Sequence, residues 1–138
     1  MILFDRDMNR IRTWEELPTD LNPFYPQVIF SMPEDREGTV WISHYNRGIF
    51  SYDKQNDRFK NYPLSHSIVE LQRWRITGIV EDQERMVWAD SMIGAYFLDK
   101  SLPDNPTFYL VDDTTLRVSY IWSICLDHQS SVWFATEG

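Results

Sequence analysis

Apolar residues in this chain fall in runs of four to seven, and Gly and Pro lie mainly between the runs. Runs of that length, bounded by turn residues, predict β-strands. The clearest series is Ile29-Phe30-Ser31-Met32, Val40-Trp41-Ile42-Ser43, Gly48 to Tyr52 and Arg58 to Tyr62, four strands in succession. These runs are apolar on both faces, with little polar alternation. A sheet with that pattern is covered on both sides.

The series recurs. A tryptophan follows an aspartate by six residues three times, at Asp35/Trp41, Asp82/Trp88 and Asp127/Trp133, and the tryptophans are 47 and then 45 residues apart. Six residues before each aspartate stand Ile29, Ile76 and Ile121, and three before stand Met32, Ile79 and Ile124. Val40, Val87 and Val132 precede the tryptophans, and a glycine (Gly48, Gly94) opens an apolar strand that ends in Asp53 or Asp99. The same offsets past Asp5 give Ile11 and Trp14, so Met1 to Asp5 aligns with the third strand of a repeat. A period of this size marks one supersecondary unit used repeatedly, most often a four-stranded propeller blade.

The expected architecture is all-β, a partial β-propeller of about three four-stranded blades that starts and ends mid-blade. Residues 1–24 read as the second half of a blade, 25–70 and 71–116 as complete blades, and 117–138 as the first half of another. Neighbouring repeats supply each other's core. The aspartate should cap the turn between the first two strands through its carboxylate. Gly38 suits a positive φ there; Arg85 and Ser130 stand at its place in the later copies, so those turns must form differently or carry strain. The three tryptophans read as fillers of the widening gap between blades.

The net charge of −8 disfavours a nucleic-acid or anionic-membrane partner, and suits a neutral or cationic ligand. No run approaches the 18 apolar residues of a spanning helix, and no signal peptide is expected within this sequence. The single Cys125 excludes an internal disulfide and reads as a small buried residue.

Ile29, Met32, Asp35, Gly38, Trp41, Ile42, Gly48, Tyr52, Asp53, Phe59 and Tyr62 together resemble the two-component regulator propeller repeat. That resemblance implies the periplasmic sensor region of hybrid two-component sensor kinases of gut Bacteroidetes. It further implies sensing of an extracellular glycan or its breakdown products, with kinase modules elsewhere in the parent protein. The departures are the two lost turn glycines and the threonine after the tryptophan, which Thr136 keeps and the earlier copies lack.

Catalytic chemistry finds little support. His44, His66 and His128 show no metal-ligand spacing and read as surface or loop residues, and no nucleophile motif is present. Asp53-Lys54-Gln55-Asn56-Asp57 lacks the glycine and terminal glutamate of a calcium loop. No cofactor or metal is expected. By contrast, Phe30, Thr77 and Trp122, five before each aspartate, vary while their neighbours stay constant, and so do the segments leading into each first strand. Trp74, Arg75, Tyr120 and Trp122 are the ligand-binding candidates, because aromatics stack on sugar rings and arginine holds carboxylates or sulfates. The favoured reading is a non-catalytic, glycan-related sensor segment. The alternative is a piece of a polysaccharide-active propeller enzyme, a lyase or glycosidase. Because exposed strand edges recruit partners, a head-to-tail homodimer completing a six-bladed ring is also expected.

Overall fold

A computed structural model of the chain describes residues 1–13, 28–44, 48–65, 75–102, 107–114 and 120–137. Trp14, Trp74, His66 and the candidate segments 24–26, 72–74 and 117–119 lie outside the described residues.

Twelve strands are described, all paired antiparallel. A two-stranded sheet joins β1 (Ile2–Phe4) to β2 (Arg10–Thr13). A first four-stranded sheet has β3 (Ile29–Ser31), β4 (Val40–His44), β5 (Gly48–Asp53) and β6 (Arg58–Tyr62) in sequence order. A second repeats that order with β7 (Ile79–Glu81), β8 (Met86–Ser91), β9 (Gly94–Asp99) and β10 (Tyr109–Leu110). A last pair joins β11 (Ile121–Leu126) to β12 (Val132–Thr136). The chain is an all-β partial propeller. Among the described residues no helix is long and apolar enough to cross a membrane.

The core lies between sheets. Trp41, Ile49 and Leu64 of the first four-stranded sheet meet Ile76, Val87, Tyr96, Leu98 and Phe108 of the second. Trp41 meets the Phe108 ring edge-on at 6.0 Å and tilts against Tyr62 at 5.0 Å. The opposite face of that sheet, built on Ile42, Phe50 and Tyr52, packs against Met1. A parallel bridge between Leu64 and Phe108 links the outer edges of the two sheets, with Phe108 N–H donating to Pro63 O at 2.9 Å. Each tryptophan faces forward: Trp41 meets the following sheet, and Trp88 meets Phe134 of the last pair at 6.3 Å.

Three expectations change. Trp133 is 61% exposed where Trp41 is 3%, because no described sheet lies on the forward face of β11–β12. Cys125 is exposed for the same reason: it pairs with Trp133 and shares that open face. His44, expected at the surface, is fully buried at the end of β4, with its ring 6.4 Å from Phe50; His128 is exposed.

Candidate functional site

The aspartate–tryptophan spacing has a bonding cause as well as a packing one. Oδ1 of Asp35 accepts the backbone N–H groups of Glu37 (3.0 Å) and Thr39 (2.9 Å), and Oδ2 accepts the indole N–H of Trp41 at 2.9 Å. Asp82 does the same for Glu84, Met86 and Trp88, and Asp127 for Gln129, Ser131 and Trp133. One carboxylate closes the hairpin turn and anchors the ring that fills the inter-blade gap. The turn shape is constant: Gly38, Arg85 and Ser130 have φ of 83°, 69° and 66°. Arg85 and Ser130 therefore hold the same left-handed conformation as the glycine, at a steric cost.

Lys100, the residue after the third-strand aspartate Asp99, reaches back to the preceding sheet. Its ammonium lies 2.8 Å from Asp35 Oδ2, 2.6 Å from Glu81 Oε1 and 3.2 Å from Glu37 Oε2, with the Lys100 side chain 10% exposed. Burial opposes charge on Asp35, but the bonds from Lys100, Trp41 and Thr39 outweigh it and hold the carboxyl below its ordinary range. Burial likewise opposes the Lys100 charge, and the three carboxylates overcome it. Arg85 pairs with Glu37, and Arg36 N–H donates to Glu81 at 2.9 Å. This cluster borders a cleft of about 460 Å³ between the two sheets. Its charges are already paired with one another, so it serves as an inter-blade joint.

The variable positions gather elsewhere, along the first strands and the residues just before them. Tyr120 and Trp122 stack with ring centroids 6.3 Å apart and planes 24° from parallel, and are 41% and 61% exposed. Arg75 lies on the preceding repeat, its guanidinium 4.9 Å above the ring of Phe30, one repeat earlier again. Thr77 Oγ1 is 3.2 Å from the carbonyl oxygen of Trp122 and 2.8 Å from Oδ2 of Asp90. Three successive repeats thus contribute to one strip in which Arg75, Tyr120 and Trp122 are exposed and Phe30 and Thr77 half-buried. The structure brings Tyr120 and Trp122 together and sets Arg75 against Phe30; Trp74 lies outside the described residues.

Behind the strip sits Asp90, a fully buried carboxylate. Oδ1 accepts the backbone N–H groups of Thr77 (2.7 Å) and Gly78 (2.6 Å). Burial pushes its carboxyl above the ordinary value, and these bonds offset only part of that. Gly78 is required here: a Cβ would come within 2.5 Å of Ile124 Cγ2 on the next sheet. Ser43 holds the equivalent place one repeat earlier and accepts Ser31 N–H, at 2.8 Å. The sequence reading missed Asp90. The available signal was a carboxylate two residues after a tryptophan, inside an otherwise apolar strand.

Among the described residues no group of three or more His, Cys, Asp or Glu is placed to hold a metal. The Asp53 carboxylate is occupied by its own turn, accepting from Gln55 N–H (2.8 Å) and the Asn56 side chain (2.6 Å).

Residues 115–138 match the family model described as "Two component regulator propeller". No curated protein matches the chain. Two crystal structures of the extracellular domain of BT4673 from B. thetaiotaomicron are similar in fold. One, described as from a hybrid two component system, gives a TM-score of 0.64 at 19% identity over 79% of this chain. The other, described as from a one component system, gives 0.66 at 18% over 95%. The extracellular domain of the hybrid two component system BT3049 from the same organism gives 0.54 at 19% over 80%. The chain spans 14%, 16% and 14% of those three structures. Residues 115–138 thus match the two-component regulator propeller model, and the chain as a whole shares the fold of these extracellular domains.

Proposed function

We propose that this chain is a segment of the ligand-sensing propeller of a hybrid two-component sensor kinase, on the periplasmic or extracellular side of the membrane. It binds without catalysis, and its ligand is a glycan or glycan fragment. The observation that carries this reading is the exposed Tyr120–Trp122 stack with Arg75 in the segment just before the first strand of the preceding repeat. Stacked aromatics offer an apolar face to a sugar ring at low entropic cost, and a guanidinium forks onto a carboxylate or sulfate. Similarity to extracellular domains of two-component systems supports the sensory setting. The test is calorimetric titration with acidic and neutral oligosaccharides, repeated with Trp122→Ala and Arg75→Ala. Loss of binding in both variants supports the strip as the site. Binding unchanged in both, or no binding by any sugar, refutes it.

A further inference from the structure

We propose that Asp90 and Thr77 form a proton-gated clasp between the first strands of two successive repeats. Protonated Asp90 closes the clasp on the Trp122 carbonyl, and ionised Asp90 opens it.

The geometry sets one hydrogen between two acceptors. Thr77 Oγ1 lies 2.8 Å from Asp90 Oδ2 and 3.2 Å from the carbonyl oxygen of Trp122. A threonine hydroxyl donates a single hydrogen and also accepts. When Asp90 is ionised, its carboxylate and the carbonyl compete for that hydrogen. The shorter, charge-assisted bond to Oδ2 wins, and the hydroxyl no longer serves Trp122. When Oδ2 carries a proton, it donates to Thr77 Oγ1, and the hydroxyl hydrogen turns to the Trp122 carbonyl. Both contacts are then hydrogen bonds. Oδ1 accepts the N–H groups of Thr77 and Gly78 in either state, so the side chain keeps its place as the proton comes and goes.

Two further features make this joint responsive. Asp90 is fully buried, and burial raises its carboxyl above the ordinary value, so the exchange falls closer to neutral pH than at an exposed carboxylate. Trp122 stands where the register of β11–β12 shifts, between Ile121 and Ser123. A bulged residue is left out of the ladder, so its aim depends on what else holds it. Ser43 and Ala135 occupy the place of Asp90 in the other repeats, so this joint differs from its neighbours.

The titratable groups on the packed strands are held elsewhere. Glu81 of β7 is bound to Lys100, Tyr96 and Asp99 of β9 lie opposite Ala89 and Met86, and Cys125 of β11 lies opposite Trp133. Arg75 is turned onto Phe30, and Tyr120 onto Trp122. The bonds that act on Asp90 come from uncharged N–H and O–H groups. Acidification therefore fixes the bulge that presents the Trp122 ring, whatever binds there.

NMR of the carbon-labelled full chain reads the clasp without a ligand. The Trp122 carbonyl carbon and the Asp90 carboxyl carbon are followed from about pH 4 to about pH 8. The expected result is one shared midpoint, with the Trp122 signal moving upfield as pH rises and its hydrogen bond is lost. Asp90→Asn offers Thr77 an N–H donor in place of the acid proton, so the Trp122 signal should stay at its low-pH position throughout. Thr77→Val removes the hydroxyl and should hold the Trp122 signal at its high-pH position while Asp90 still titrates. A Trp122 signal that stays flat in the unaltered chain, or titrates as before in either variant, overturns the proposal. So does an Asp90 that keeps one charge state over the whole range.

Discussion

Lys100 Nζ and Trp41 Nε1, from different sheets, both donate to Oδ2 of Asp35, at 2.8 Å and 2.9 Å. The oxygen that fixes the core ring of one blade is also the attachment point of the next. Removing the lysine leaves Asp35 and Glu81 buried without their cation. Lys100→Ala should therefore destabilise by about 3–5 kcal/mol. Chemical denaturation is the measurement, and a loss below about 1 kcal/mol would show that the cluster is solvated like a surface pair.

Trp41→Ala removes a buried ring packed on Tyr62 and Phe108, and should cost about 3–5 kcal/mol. Trp88 is half-buried against Phe97 and Phe134 and should cost less when truncated in the same way. Equal losses at the two positions would refute the dependence of each tryptophan on the sheet in front of it.

Two substitutions should stabilise the chain. Ser130 combines φ of 66° with a buried hydroxyl that has no hydrogen-bond partner among the described residues, so Ser130→Gly removes both penalties, about 1–2 kcal/mol together. The buried Tyr96 hydroxyl also lacks a partner among the described residues, and Phe50 fills the same repeat position with no hydroxyl. Tyr96→Phe should raise stability by about 1 kcal/mol. A fall in melting temperature in either variant contradicts the assignment.

Asp90 and Asp35 should respond to acid with opposite signs. The Asp90 pKa is raised by burial on folding, so its contribution favours the folded state below its ordinary value and is lost as pH rises through the folded value. The Asp35 pKa is lowered, so its stabilisation is present above the ordinary value and is lost as pH falls through the folded one. Asp90→Asn keeps an acceptor for Thr77 and Gly78 and removes the buried charge. It should raise the melting temperature at neutral pH, with the gain shrinking on acidification toward the ordinary carboxylate range. A gain that grows on acidification would reverse the sign and refute the buried-charge account.

The repeat, its four strands and its first-strand variability were legible because side-chain spacing alone carries them. The Asp35–Trp41 bond was half legible: spacing exposed the pair, but turn capping and core packing each seemed to explain one partner alone. Lys100 escaped because it acts across a sheet boundary, although Arg6, Lys54 and Lys100 recur at one offset. Trp133 and Cys125 are exposed against expectation because repeat position does not say whether a neighbouring sheet is present; His44 is buried because it continues β4, a strand covered on both faces. Asp90 was legible only as an acidic residue inside an apolar strand, since nothing in the sequence shows the backbone N–H groups that converge on it.

The forward-facing tryptophan and the backward-reaching lysine give the stack a polarity. The core ring Trp41 is sealed by the next sheet and its anchoring carboxylate Asp35 is neutralised from there, and Trp88 likewise packs on Phe134 of the sheet after it. Loosening one blade therefore strips support first from the blade before it, so damage should spread toward the N-terminus. A ligand bound at the proposed Tyr120–Trp122 strip would therefore act from a later repeat on the blades before it.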